Sequence, residues 1–196
     1  MCRFIETMKF AQGSINNLGF HQKRVNRAFT EYFSGHSPIQ LKDINIPDNW
    51  KDRVGKCRIV YNRDIIKIDF SQSTIFKITS LQIVESPALD YKHKYEDRSQ
   101  LEKLYQKRGT ADEIIISVNG RITDSFYANL VFKDDERWVT PKHPLLKGTK
   151  RQQLLEEGKI IERDLKTDNI SGFQTVSLIN AMLDLGHVTI DINNVN

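Results

Sequence analysis

The sequence is poor in cysteine and has no long apolar run. Its 196 residues include two cysteines, Cys2 and Cys57, which form neither a CxxC pair nor a dense framework. This excludes a disulfide scaffold and a sulfur-rich metal site, and we expect Cys57 to be a small core residue in a strand. No apolar stretch approaches the roughly 20 residues that a membrane span requires. Because Glu6 stands where the apolar core of a signal peptide would begin, we predict a cytoplasmic protein with no membrane partner.

The motifs of several common enzyme classes are also missing. The sequence has no GxxxxGK[ST] or GxGxxG loop for nucleotides, no HExxH and no GxSxG. Five histidines lack the spacing of metal ligands, so we predict no metal site; they are His21, His36, His93, His143 and His187. The net charge of +4 is spread among acids. We therefore expect no nucleic-acid partner, and an anionic small molecule fits the same excess of charge.

The predicted elements favour an α+β fold with two domains. An apolar stripe closed by Gly35 predicts one helix, at Val25, Ala28, Phe29, Tyr32 and Phe33. Strands are predicted at 56–61, at 65–70 with Ile66, Ile68 and Phe70 on a buried face, and from 75 to about 84. Since Ser86-Pro87 breaks this pattern, we predict an N-terminal α/β domain at 1–85 and a strand-rich C-terminal domain at 86–196.

The second half of the chain carries clear local signals. Ser99-Gln100-Leu101-Glu102 is typical of a capping box, before a helix that ends at Gly109. Asn119-Gly120 predicts a type I′ turn after the strand 114–118. Further strands are predicted at 130–132 paired with 138–140, at 160–165 and at 175–179, with a helix from about 149 to Gly158. Strand-rich segments with interspersed helices indicate α+β architecture.

Two stretches of this half suggest chemistry. The segment YKHKYEDR (residues 91–98) is either a solvated charged loop or the setting of a reactive lysine. Gly148-Thr149-Lys150-Arg151 begins a helix, where backbone N–H groups and the helix dipole can hold a phosphate. Neither interpretation is decided by these residues alone.

A series of motifs resembles one family. The motifs are FIET (4–7), HQKRV (21–25), KYEDR (94–98), TADEI (110–114), NGRITDSFYANL (119–130), TP (140–141) and LLKGTKR (145–151). In these motifs the chain resembles the class IV aminotransferases. They are pyridoxal-phosphate enzymes of fold type IV, and they include branched-chain and D-amino-acid aminotransferases and aminodeoxychorismate lyase. The resemblance covers nearly the whole chain and implies a two-domain, D-amino-acid aminotransferase-like fold.

The resemblance implies pyridoxal 5'-phosphate as cofactor, held mainly by the C-terminal domain. Lys94 matches the lysine that forms the Schiff base, and such a lysine must be neutral to attack, so burial should lower its pKa. Asp124, five residues before Asn129, matches the family's glutamate at the pyridine nitrogen. Aspartate is one methylene shorter, so either the strand lies closer to the ring or a water bridges the gap.

The phosphate is implied to bind Arg24, the N–H groups of Thr149 and Lys150, and the segment Asn180-Ala181. INAM (179–182) resembles the matching segment of aminodeoxychorismate lyases more than the Gly-Thr of transaminases. The alternatives are that Arg24 pairs with a surface acid and that Asn180 caps a turn.

The resemblance predicts a homodimeric enzyme acting on an amino-acid-like substrate, with Lys94 as the general base. Transamination is the favoured outcome. The alternative is elimination of the aminodeoxychorismate lyase type, giving p-aminobenzoate and pyruvate. A further alternative, motivated by Asp124 and by a chain shorter than typical members, is a catalytically silent homologue.

Overall fold

Short strands outnumber helices in the computed structural model, which describes residues 2–74, 77–87 and 89–196. The strands are Phe4–Ala11 (β1), Ser14–Ile15 (β2), Gly55–Tyr61 (β3), Ile65–Ser71 (β4), Leu81–Ser86 (β5), Glu113–Val118 (β6), Arg121–Ile122 (β7), Asn129–Lys133 (β8), Trp138–Pro141 (β9), Ile161–Arg163 (β10), Thr175–Ile179 (β11) and Thr189–Asp191 (β12). The α-helices are Leu18–Tyr32 (α1), Ser99–Tyr105 (α2) and Thr149–Glu156 (α3). Short 3-10 helices occupy Leu41–Asp43, Asp48–Trp50, Gln106–Arg108, Thr167–Gly172 and Ile192–Asn194. This mixture confirms the predicted α+β class.

The chain forms two compact units. Unit 1 consists of Met1–Thr74 and His93–Asp97, and unit 2 of Ile75–Lys92 and Arg98–Asn196. The break falls at 74 and 75, whereas the sequence predicts a boundary at 85 and 86, because β5 pairs in parallel with β6 and so belongs to unit 2. The segment that carries Lys94 belongs to unit 1 and not to the C-terminal region.

Unit 1 is built on an antiparallel sheet in the order β2-β1-β3-β4. Val25, Ala28 and Phe29 of α1 are buried in one core with residues of β1 and β3, as their helical spacing predicts. The core also includes Cys57, which confirms its predicted place in a strand. The predicted helix is confirmed and ends at Tyr32, shortly before Gly35 with its positive φ of 84°.

The prediction of a buried face on β4 is wrong. Ile66 and Ile68 keep 46% and 39% of their surface exposed, and Phe70 is half-buried against Phe10. β4 is the edge strand of its sheet in the described part of the chain. An alternating pattern reveals which residues share a face, but only a covering layer can bury that face.

Unit 2 contains a five-stranded sheet, β10-β9-β8-β11-β12, and a three-stranded one, β5-β6-β7. The predicted hairpin is confirmed between β6 and β7, where Asn119 and Gly120 have φ of 52° and 70°. The predicted pairing of β8 with β9 is confirmed as well. The buried core of this unit includes Leu130, Phe132, Val176 and Leu178.

Two further predictions concern the ends of helices and strands. The capping box at Ser99 is wrong, because Ser99 is the first residue of α2 and Arg98, at the N-cap, makes no side-chain capping bond. The predicted strand 75–84 begins on residues 75 and 76, which lie outside the described residues, and its described part forms β5 from Leu81. No helix among the described residues is long and apolar enough to cross a membrane.

Candidate active site

The segment around Lys94 lies beside the start of β1 in unit 1. The Ile5 N–H donates to the Lys94 carbonyl at 2.9 Å, and the Glu96 N–H donates to the Arg3 carbonyl at 2.9 Å. Tyr95 forms an antiparallel bridge with Phe4 between these two bonds. These bonds fix the backbone of Lys94 beside β1. Lys94 is half-buried, so its side chain is partly removed from water.

The two residues before Lys94 differ in exposure and in their contacts. Lys92 is exposed, whereas His93 is buried and its Nε2 lies 2.8 Å from Glu31 Oε2. The His93 ring also meets the Phe4 ring edge-on, with centroids 5.8 Å apart. Lys92 thus meets solvent, whereas His93 is packed against an acid and an aromatic ring.

A buried charged cluster in unit 1 contains Glu6, His21 and Arg24. Arg24 donates two hydrogen bonds to Glu6, from Nε to Oε1 at 2.6 Å and from Nη2 to Oε2 at 2.5 Å. His21 Nδ1 lies 2.6 Å from the same Oε2. Glu6 projects from β1, and His21 and Arg24 lie three residues apart on one face of α1. Arg24 therefore pairs with a buried acid and not with a surface acid.

The pKa values in this cluster follow from burial and charge. Burial alone would raise the pKa of Glu6, but the Arg24 charge and hydrogen bonds outweigh it and hold the pKa at about 2. Burial lowers the pKa of His21 despite Glu6, and the charges of Arg24 and Lys94 lower it further. His21 is therefore neutral at pH 7 and donates its Nδ1–H to Glu6, leaving a net charge of zero on the trio.

In unit 2, Asp124 and Asn129 close a tight turn. Asn129 Nδ2 donates to Asp124 Oδ1 at 2.6 Å and to the Leu146 carbonyl at 2.8 Å. The Leu146 N–H donates to Asp124 Oδ2 at 2.8 Å. Both carboxylate oxygens are thus held by neutral donors, and the two predicted cofactor residues are bonded directly to each other.

The Asp124 carboxyl is buried, and no cation of the described residues is bonded to it directly. Burial raises its pKa to about 6, although the bonds from Leu146 and Asn129 and the charge of Arg151, which is not bonded to it, oppose that shift. A positive charge placed beside Asp124 would lower this pKa again and stabilise the carboxylate. Asp124 is therefore suited to a cationic partner such as a protonated ring nitrogen.

The start of α3 lies against Asn129. A Cβ atom on Gly148 would come 2.0 Å from Asn129 Oδ1, so a side chain has no room there. Thr149 is buried as the first residue of α3, and Lys150 Nζ pairs with Asp184 Oδ1 at 2.6 Å. The first N–H groups of a helix lack intrahelical partners, which suits this end of α3 to an anion.

Asn180 caps a turn, as the alternative interpretation of the sequence states. Its Oδ1 accepts from the N–H groups of Met182 and Leu183 at 2.8 and 3.0 Å. Its Nδ2 donates to the Tyr127 carbonyl at 3.3 Å, in the turn between Asp124 and Asn129. Ala181 is half-buried within the capped turn. The predicted cofactor residues of unit 2 are thus linked by short contacts between three segments.

Sequence reasoning missed the partner of Arg24. Glu6 figures in the sequence-based predictions only in FIET and in the expectation of a cytoplasmic protein, although an acid in a strand and a His-x-x-Arg pair on a helix are the elements of a buried ion pair. Strand β1 was not predicted, and so the inward direction of Glu6 could not be read.

The residues in hand fit pyridoxal phosphate. Unit 1 offers the half-buried Lys94 and the arginine Arg24. Unit 2 offers the buried Asp124 carboxylate, which a cation would stabilise, and the start of α3 beside Gly148, where a side chain has no space. These are the donor types that an aldehyde, a phosphate and a pyridine nitrogen require. Among the described residues, no cluster of three or more potential metal ligands occurs.

Comparison with known proteins identifies the family. The model of the family described as amino-transferase class IV matches residues 3–190. The chain belongs to the class IV aminotransferase family. Its fold is therefore fold type IV of the pyridoxal-phosphate enzymes, and pyridoxal phosphate is the cofactor that membership assigns.

Similar proteins carry different descriptions. An uncharacterized protein of Haemophilus influenzae is 36% identical over 186 residues, covering 93% of this chain and 98% of that protein. A crystal structure described as a putative 4-amino-4-deoxychorismate lyase of Haemophilus somnus matches with a TM-score of 0.85 and 31% identity, covering 94% of this chain and 98% of that one. A putative aminodeoxychorismate lyase of Schizosaccharomyces pombe is 37% identical over 75 residues, 36% of this chain and 32% of that protein.

Proposed function

We propose that the protein is a pyridoxal-phosphate-dependent enzyme acting on an amino-acid-like substrate, with Lys94 as its catalytic residue. The observation that carries the proposal is the buried Asp124 carboxylate, held by Asn129 and the Leu146 N–H in a chain of the class IV family. A buried acid with neutral donors and a raised pKa is a poor structural ion pair. A cation bound beside the Asp124 carboxylate would stabilise its charged form.

Each predicted residue receives a role in this proposal. Lys94 Nζ would hold pyridoxal phosphate through its aldehyde group, with release of water, and Asp124 would accept a hydrogen bond from the protonated pyridine nitrogen. Arg24, the N–H groups of Thr149 and Lys150, and the Asn180-Ala181 turn bind the phosphate; the Glu6 pairing orients Arg24 for this task. Asn129 fixes the rotamer of Asp124 through the 2.6 Å bond.

The catalytic step follows from these roles. Pyridoxal phosphate, when bound, supplies a ring that accepts the electrons released at the substrate's amine-bearing carbon. Lys94 Nζ, freed when the substrate amine replaces it at the cofactor's aldehyde group, would take the proton from that carbon and return one later in the reaction. The Asp124 carboxylate keeps the ring nitrogen protonated, so the charge released at the carbon is neutralised.

Of the two outcomes, elimination of the aminodeoxychorismate lyase type now has the stronger support. The INAM segment favours it, and the Haemophilus somnus protein, at 31% identity over almost the whole chain, is described as such a lyase. Transamination, the outcome favoured from sequence, remains the second candidate because the family model is described by that activity.

Cofactor attachment is the first test. Protein loaded with pyridoxal phosphate should be yellow, and borohydride reduction should remove the visible band and leave the cofactor covalently on the peptide that contains Lys94. Lys94→Ala should lose this label and at least about a thousandfold in turnover. Lys92→Ala, an exposed lysine of the same segment, is the matched control and should keep both. A colourless protein that cannot be loaded would support the silent homologue instead.

Substrate tests separate the two outcomes. With aminodeoxychorismate, a lyase forms p-aminobenzoate and pyruvate in equal amounts, and both can be measured by chromatography. If neither forms while amino acids convert the cofactor to its pyridoxamine form, the lyase proposal is wrong and transamination stands. We propose a homodimer as the working form, and light scattering on the purified protein tests it.

A further inference from the structure

Arg98 contacts the turn that separates Asp124 from Asn129. Its Nη2 donates to the Phe126 carbonyl at 2.5 Å. The guanidinium carbon lies 4.3 Å from the centroid of the Phe126 ring and 4.7 Å from that of Tyr127. One side chain thus contacts both residues at the tip of the turn, through a hydrogen bond and through two aromatic rings.

Glu113 binds the backbone N–H of Phe126, whose carbonyl is bound by Arg98. Its Oε1 accepts from the Phe126 N–H at 3.3 Å and from the Ile114 N–H at 2.7 Å. Glu113 is buried on β6, and Tyr105 stacks on the Phe126 ring with centroids 4.5 Å apart. Both backbone polar groups of Phe126 therefore end on buried or half-buried side chains.

The base of the turn is closed by its own residues. Ser125 N–H donates to the Ala128 carbonyl at 2.8 Å, and the Ala128 N–H donates to Ser125 Oγ at 3.0 Å. Immediately outside this pair lie Asp124 and Asn129, which bridge to each other. A shift of the tip would move Ser125 and Ala128, which two bonds hold together, and with them the adjacent Asp124 and its bond to Asn129.

The arrangement around Arg98 is costly for the residue itself. Its Nε is buried and has no hydrogen-bond partner among the described residues. A buried donor without a partner opposes folding, so Arg98 is not placed to maximise its own bonding. Its planar fork and its stacking are the two properties that the contacts use, and lysine has neither.

We propose that Arg98 is a positioning residue, which locks the 125–128 turn and thereby fixes the Asp124 carboxylate at the place where it meets the cofactor's ring nitrogen. The inference rests on the proposed function for the role of Asp124, but the locking of the turn is a property of the protein alone. Two measurements separate these parts.

The first measurement needs no cofactor. Carbon-13 NMR of aspartate carboxyls, with the Asp124 signal assigned by Asp124→Asn, follows the titration of Asp124, whose pKa burial raises to about 6. In Arg98→Lys a loosened turn admits water, so the midpoint should move down toward the ordinary value of 3.8. Arg108→Ala is the matched control and should leave the midpoint unchanged. Arg108 also stacks on an aromatic ring, 4.3 Å from the Tyr105 centroid, and donates to the Tyr105 carbonyl at 3.2 Å, but its bond is outside the turn.

The second measurement is the dissociation constant of pyridoxal phosphate by equilibrium fluorescence. Arg98→Lys should weaken binding about tenfold, and Arg108→Ala should stay within about twofold. An unchanged titration and unchanged binding in Arg98→Lys would overturn the proposal. Weakened binding with an unchanged Asp124 titration would also overturn it, because the effect would not pass through the turn. If the wild-type protein binds no cofactor, the proposed function fails, while the titration still tests the locking of the turn.

Discussion

Glu6 in unit 1 and Asp124 in unit 2 are both removed from water, with 0% and 5% of their surface exposed. Their pKa values nevertheless move in opposite directions, to about 2 for Glu6 and to about 6 for Asp124. Glu6 receives two bonds from the Arg24 guanidinium, whereas Asp124 receives bonds from an amide side chain and a backbone N–H. The charge of the bonded partner, and not the depth of burial, separates them.

The comparison has a functional consequence. Glu6 has its counter-ion built in, so it serves as a support that keeps Arg24 in place. Asp124 is held in position by neutral groups and has no bonded counter-ion in the part of the chain that the structure describes, which suits it to bind a cationic group of a ligand. Glu113, also bonded by backbone N–H groups, has its pKa raised to about 7 in the same way.

The largest expected difference between the two acids is in stability. Glu6→Gln leaves the Arg24 charge buried without a counter-ion and should lower the free energy of unfolding by about 3–5 kcal/mol. Asp124→Asn removes one acceptor from neutral donors and should change it by about 1 kcal/mol. Urea unfolding at pH 7 measures both. Equal losses in the two variants would contradict the distinction drawn from partner charge.

The pH dependence of stability should differ in sign. The folded pKa of Glu6 is lowered from 4.5 to about 2, so its contribution is present above pH 4.5 and is lost as the pH falls through about 2. The folded pKa of Asp124 is raised from 3.8 to about 6, so its contribution is present below pH 3.8 and is lost as the pH rises through about 6. Subtracting the unfolding profile of each amide variant from that of the wild type isolates the two terms. A difference profile of the same slope for both acids would refute the assignment.

Gly148→Ala tests the neutral support of Asp124. The new Cβ would lie 2.0 Å from Asn129 Oδ1, and Asn129 can yield only by breaking its bonds to Asp124 and Leu146. We expect a loss of about 1–3 kcal/mol in stability and weaker cofactor binding. Gly172→Ala is the control, since a Cβ there meets nothing within 4 Å, and it should stay within about 0.5 kcal/mol. Thermal unfolding and fluorescence titration compare the two.

Asn129→Ser should have the smallest effect on stability, about 1 kcal/mol, because it removes one neutral donor from Asp124. The loss of that donor should raise the pKa of Asp124 above its wild-type value. Carboxyl NMR titration measures the shift, and a lower pKa in this variant would show that Asn129 does not stabilise the carboxylate.

Local signals were sufficient for much of the fold. The Asn119-Gly120 turn, α1 and strand β11 follow from residues within a few positions of one another, and the structure confirms them. The exposure of β4 and the capping of α2 were predicted wrongly. Burial of a strand face depends on what covers it, and the N-cap of a helix depends on the conformation in which the chain enters it.

The sequence by itself determined the family and named the candidate site residues, because motif order along the chain carries that information. It named Arg24, Asp124 and Asn129, but it did not show which groups these residues bond to in the folded chain. Only the tertiary structure joined Glu6 to Arg24, and the Leu146 N–H to Asp124, across 18 and 22 residues of chain. A pKa depends on the charges and donors within a few ångströms of a group, and folding, not sequence distance, selects those neighbours.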